Sequence, residues 1–150
     1  MTSPAARPQG QPALLESARH ALASHGWLAG CPADFRERLL RIAIVRRALP
    51  GEEFIHAGDE KGGLFGICSG AAEIAFASGH PDTRVIHLVH SGFWAGYKGL
   101  LGKARYLSLR ARTDLVWALV PQAAVERLLA EHPTAWRHIA DLADQLSLLV

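Results

Sequence analysis

Two hydrophobic periods alternate along this chain, and the change between them divides it into three parts. From Pro12 onward, Leu14, Leu15, Ala18, Ala21, Leu22 and Trp27 recur at helical intervals, and Gly26 supplies a stop. Pro32-Ala33-Asp34 opens a second helix. Asp34 lies near its positive end, Phe35, Leu39, Leu40 and Ala43 share one face, and Arg36, Arg38 and Arg41 occupy the solvated side. Helix is therefore expected over 12–41, after a flexible Pro-, Ala- and Gly-rich tail at 1–11. From residue 42 the period shortens to two. Apolar segments at 42–49, 54–57, 64–68, 71–77, 85–89, 107–111 and 115–119 are separated by turns such as Pro50-Gly51, Gly62-Gly63, Ser69-Gly70 and Ser91-Gly92. About seven or eight short strands at this spacing predict a β-roll over 42–120, with an exposed hairpin tip at 78–83.

At Pro121 the helical period returns, and C-terminal helices are expected over 121–150. Val125, Leu128 and Leu129 form one stripe before Pro133. Beyond it, Trp136, Ile139, Ala140, Leu142, Ala143, Leu146 and Leu149 make a seam close to heptad spacing. Such a seam needs a cover. The chain stops on Leu148-Leu149-Val150 with no cationic cap or polar tail, which predicts either a longer polypeptide or a partner covering the seam. The fold class is thus mainly β with flanking helices.

Composition narrows the function. A chain of 150 residues that is 49% apolar suits one domain with a real core. The 16 basic and 14 acidic groups leave a net charge of +2, without the concentrated basic footprint of a nucleic-acid surface. Two cysteines, Cys31 and Cys68, are too few for an iron–sulfur cluster or a structural zinc without help from His. No signal peptide or membrane-length apolar run is present, so a cytoplasmic protein without membrane contact is expected.

The chemistry concentrates between residues 92 and 112. Gly92, Gly96, Gly99 and Gly102 bend a segment carrying Lys98, Lys103 and Arg105 between two strand-like stretches. Turn amides and a guanidinium fork are the chemistry of an anion-holding turn. The other constellations are weaker. His87 and His90 stand three apart on a strand, where alternation sends them to opposite faces, and His56 has no sequence neighbour as a partner. The His-x-His pair and following Glu of a metal-dependent cupin-like enzyme are absent, which leaves that enzyme as a remote alternative. Ser69 and Ser91 lack a strand-to-helix elbow. No catalytic residue and no metal ligand is assigned.

Helices, a β-roll, a short helix and a long seamed helix, in this order, resemble the sensor domain of the cyclic-nucleotide-binding superfamily, and within it the Crp/Fnr group of bacterial transcription regulators. The resemblance covers about residues 27–150. It rests on Pro50-Gly51-Glu52-Glu53-Phe54-Ile55, on Gly58-Asp59, on the run from Leu64 to Ile74, and on residues 91–111, which are similar to the family's phosphate-binding cassette. The resemblance implies a double-stranded β-roll (jelly roll) that senses a small effector, a cyclic nucleotide or another small anionic ligand. It also implies a homodimer through the last helix, with Trp136, Ile139, Leu142, Leu146 and Leu149 between two copies, and DNA contact only through a helix-turn-helix following residue 150. Position by position, Gly96 matches the cassette Gly and Arg105 the phosphate-binding Arg. Tyr97 falls where the family has a ribose-binding Glu, and Tyr106 where it has a small hydroxyl residue. Lys98 and Gly99 lie between, in a segment about one residue shorter than usual. Ordinary cyclic AMP binding, binding of another ligand, and an unliganded cassette all remain open, and so does a stand-alone interaction module with a degenerate pocket. Trp94 beside the cassette and Trp136 at the start of the last helix are expected in the core.

Overall fold

The structure, a computed structural model, describes residues 6–59, 62–76 and 86–148. The hairpin tip expected at 78–83, and Leu149 of the seam, lie outside them. The chain begins with α1 (Ala6–Ser24) and α2 (Ala33–Ile42). The roll follows as β1 (Ile44–Ala48), β2 (Glu53–Ile55), β3 (Gly63–Ser69), β4 (Ala71–Phe76), β5 (Ile86–His90), β6 (Trp94–Ala95), β7 (Leu107–Ala111) and β8 (Leu115–Pro121). It closes with α3 (Gln122–Glu131) and α4 (Trp136–Ser147).

The strands form two antiparallel four-stranded sheets, ordered β1-β8-β3-β6 and β2-β7-β4-β5. Their inner faces enclose Ile55, Phe65, Ile67, Ile74, Leu107, Leu109 and Leu115. This is the mainly β roll with flanking helices that the spacing predicted, in the jelly-roll form that the resemblance implied. In β3 every residue from Gly63 to Cys68 is buried, because the roll covers one face while α1 and α3 pack on the other. Two-sided burial explains why that stretch reads as an unbroken apolar run rather than an alternation.

Three boundaries differ from expectation. Helix starts at Ala6, inside the stretch assigned to a tail. Pro8 then falls in the first turn, where its missing N–H costs no hydrogen bond. The first strand begins at Ile44 rather than residue 42: α2 continues through Ile42 because the Phe35, Leu39 and Leu40 face holds that turn in place. β6 is only two residues long, too short for a period to show.

A larger correction concerns the seam. Ile139, Leu142 and Leu146 are 3%, 1% and 4% exposed within the single chain. At i, i+3 and i+7 they share one face of α4, and that face is covered by the chain's own β6 region. A second copy is therefore not needed to bury them. The Trp27 and Trp94 rings, in edge contact at 5.6 Å, lie under this helix, and Trp27 Nε1 donates to the carbonyl of His138 at 2.7 Å. Trp94 is buried as expected. Trp136, in the first turn of α4, is 42% exposed and is not part of the core.

Candidate functional site

Gly96 turns the chain out of β6 into a 3₁₀ turn at Tyr97–Leu101, which Gly102 ends. Gly96 has φ +107°, and a side chain there would overlap the carbonyl oxygen of Gly63 at the start of β3. Only glycine lets the turn press this closely on the sheet. The returning segment is held by two backbone bonds: Arg105 N–H donates to Asp59 O at 2.9 Å, and Gly58 N–H to Arg105 O at 2.7 Å. The turns at 58–59 and 96–105 are thereby one unit, although they lie far apart in sequence.

This unit brings Tyr97, Lys98, Arg105 and Tyr106 together. The Tyr97 and Tyr106 rings are 6.5 Å apart, edge to face, and Phe76 of β4 lies 5.7 Å from Tyr106. Lys98 Nζ sits 4.9 Å from the centre of the Tyr106 ring and 5.7 Å from that of Tyr97. Such cation–π contacts are worth about 0.5–2 kcal/mol depending on exposure. Burial, and next to it the neighbouring Tyr97 hydroxyl, push the Tyr106 phenol up to about 12.

Arg105 lies with Cζ 5.0 Å from the centre of the Phe65 ring, and its Nη1 reaches the Gly63 carbonyl only at 3.5 Å. Burial lowers its pKa, and Asp59 opposes that shift without coming within ion-pair distance. Among the described residues no carboxylate pairs with it. Among the described residues this partly desolvated guanidinium has one long side-chain hydrogen bond, which leaves donors unused.

Gln122, the first residue of α3, was not singled out from sequence. Its Nε2 donates to Gly99 O at 2.7 Å and to Glu126 Oε2 at 3.0 Å. A Cβ on Gly99 would lie 2.7 Å from Gln122 Oε1, and one on Gly62 2.8 Å from it. Both glycines leave room for this side chain, which clips the turn to α3. The pairing of two separated glycines with a Gln after Pro121 was the only available signal, and it has meaning only once the fold is known.

The other candidates are placed as follows. His56 does have a partner, Glu53, whose Oε1 is 2.7 Å from Nδ1 and whose Oε2 lies 3.5 Å from Arg110 Nη2. A sequence neighbour three residues back reaches it because β2 is irregular between Glu53 and Ile55. His87 packs against Phe76 while His90 is exposed. Ser91 Oγ donates to Cys68 O. Burial raises the Cys31 thiol to about 11 and the Cys68 thiol to about 12, so neither is poised as a nucleophile.

Residues 45–132, more than half of the chain, match the cyclic nucleotide-binding domain family. The chain belongs to that family. Its fold is similar to the Thermus thermophilus catabolite activator protein, at 19% identity over 79% of this chain and 56% of that one, with a TM-score of 0.67. It is also similar to the Xanthomonas campestris regulator CLP, described as c-di-GMP responsive: 26% identity, 79% and 59% coverage, TM-score 0.64. A third likeness is to the regulatory subunit of a cAMP-independent protein kinase A from Trypanosoma cruzi, bound to guanosine: 21% identity, 85% and 46% coverage, TM-score 0.65. In sequence, 80 residues are 32% identical to the lysophospholipase NTE1 of Yarrowia lipolytica, covering 53% of this chain but 6% of that protein. The chain thus spans about half the length of these solved relatives. Among the described residues no helix is long and apolar enough to cross a membrane.

Proposed function

We propose that this cyclic nucleotide-binding domain is the effector-sensing part of a Crp/Fnr-type transcription regulator, and that its altered cassette takes a small anion other than cyclic AMP. The observation that carries the reading is Arg105: a half-buried guanidinium, without a carboxylate partner among the described residues, beside the turn at Tyr97–Leu101. Tyr97 stands where a ribose-binding carboxylate is expected and cannot accept two hydroxyl hydrogen bonds as a carboxylate does. Tyr106 adds bulk beside it. Two of the structural relatives are regulators by description, one a catabolite activator and one responsive to c-di-GMP.

A ligand held by Arg105 would act on the helices through Gln122, which touches both the turn and α3. The size of the response is limited by the ligand's differential affinity for the two states. Dimerisation belongs to the same proposal, through α4 residues that the chain itself leaves exposed, such as Trp136 and Leu148. DNA contact would come from a separate domain.

Calorimetry with cyclic AMP, cyclic GMP, cyclic di-GMP and a panel of small organic anions, on the wild type and on Arg105→Ala, tests the assignment. Binding of an anion that Arg105→Ala abolishes is expected. Equal binding to both proteins, or no binding by either, removes the effector role and favours the alternative of a stand-alone interaction module.

A further inference from the structure

Away from the cassette, α2 and α3 run side by side and leave a cavity of about 140 Å³ between them. Its floor is apolar, made by Ile42, Ala124 and Leu128, and Arg38, Arg41 and Arg127 stand around it. Glu131 is the one carboxylate of the lining. Arg38 already pairs with Asp34 at 3.2 Å, whereas Arg41 and Arg127 are exposed and ion-paired to nothing among the described residues. The arginines of α2 read from sequence as an ordinary solvated face. Only the packing of α3 against α2 brings Arg127 to the same hollow.

A second cavity, of about 210 Å³, continues from the first. The two share Arg38 and Leu128. The second is lined by Phe35, Leu128 and Ala135 together with Asp34, Arg38, His132 and His138. The two cavities adjoin in one groove, with Phe35 and Ala135 in the second and the unpaired Arg41 and Arg127 in the first.

We propose that this groove docks an acidic peptide segment of a protein partner, with an apolar residue seated near Phe35 and Leu128 and carboxylates over Arg41 and Arg127. Guanidinium groups match carboxylates in bidentate geometry, and an apolar hollow beside them accepts a side chain that anchors the segment. A nucleic-acid backbone fits less well. It needs a stripe of cations over many phosphates, whereas here three arginines cluster between Glu131 and Asp34, and the chain as a whole carries only +2. None of the groove's lining residues belongs to the turn at 96–106, so this docking is independent of the effector reading.

The test uses a short fluorescein-labelled peptide in which a leucine pair precedes a run of glutamates, with fluorescence anisotropy as the readout. Saturable binding that weakens with added salt is expected. Arg41→Glu combined with Arg127→Glu should weaken it about tenfold or more, since like charges then face each other. Both positions are exposed, and circular dichroism checks that the variant is folded. Ala124→Glu places a negative charge in the floor with the arginines intact and should weaken binding as well, which ties the effect to this groove. A peptide with lysines for glutamates, or serines for the leucines, should bind far less. The proposal is overturned if the acidic peptide does not bind, or if the double variant binds it unchanged. It is also overturned if a double-stranded oligonucleotide or inorganic phosphate shows the arginine dependence in its place.

Discussion

Whether α4 is glued to its own roll or to a second copy can be decided with one truncation, Leu142→Ala. Leu142 is 1% exposed and lies with Leu146, Trp27 and Trp94 around a cavity of about 180 Å³. The substitution removes three buried carbons, which at about 0.8 kcal/mol each amounts to about 2.4 kcal/mol. Leaving a larger void adds to this, and buried Leu→Ala changes span about 2–5 kcal/mol. Because a cavity already borders the site, some of the dispersion contacts are absent beforehand, and a loss of about 2–3 kcal/mol is expected. Urea denaturation followed by tryptophan fluorescence measures it, at a low and a high protein concentration. The loss should be the same at both, because the contacts are within one chain. Trp136→Ala, on the exposed side of the same helix, should change monomer stability by less than about 1 kcal/mol. If Leu142→Ala leaves the monomer as stable as wild type and instead weakens a concentration-dependent association, the assignment of this face to the chain's own core is wrong.

Three further expectations concern the cassette. Tyr97→Glu together with Tyr106→Ser should raise affinity for cyclic AMP from undetectable to measurable by calorimetry; unchanged behaviour would mean that these two side chains do not select the ligand. Gly96→Ala should cost about 2 kcal/mol or more, from the positive φ together with overlap at Gly63. Gly102→Ala has φ +75° but nothing within 4 Å, so it should cost only about 1–2 kcal/mol. Equal losses in urea melts would count against the close approach at Gly96. The Tyr106 phenol is raised from 10 to about 12 in the folded chain, so its contribution to stability is complete below about pH 10 and is lost as pH rises from 10 to 12. An absorbance titration should therefore show one of the two tyrosines ionising late, and complete ionisation near pH 10 with the protein still folded would contradict its burial.

How far the chain could be read from its residues varied with the physics of each element. The strands between 64 and 119 were legible because turn glycines bounded them, and α3 because Pro121 and Pro133 enclosed it. The apolar seam of α4 was legible as a stripe, but periodicity reports that a face is covered and never by what. The roll supplied the cover, through Trp94 on a strand too short to have a period. At the site, Arg105, Lys98 and the two tyrosines could be picked out from their setting among glycines. Their mutual contacts could not, because Tyr106 meets Phe76 across two strands and Arg105 meets Phe65 across two sheets. Gln122 was invisible for the same reason.

The contacts that fill the cassette are weak enough to give way, and this bears on what the filled state means. A ligand anion reaching Arg105 would have to displace its hydrogen bond to Gly63, which at 3.5 Å is at the limit of what counts as one. If the ligand also took the face of Tyr106, Lys98 would have to leave the ring, at about 0.5–2 kcal/mol. Together these come to about 1–3 kcal/mol, a factor of about 5–150 in affinity. A charge-assisted, bidentate contact between an anion and a desolvated guanidinium is of comparable or greater strength. Self-contact at Lys98 and Arg105 therefore sets a threshold for binding and does not close the site. On the proposed reading, the bulk of Tyr106 and a tyrosine rather than a carboxylate at position 97 would decide instead which anions pass it. The ligand panel should accordingly separate by shape and hydroxyl pattern at equal charge: anions without a ribose diol should gain on cyclic nucleotides, and a ranking by charge alone would show that Tyr97 and Tyr106 play no selective part.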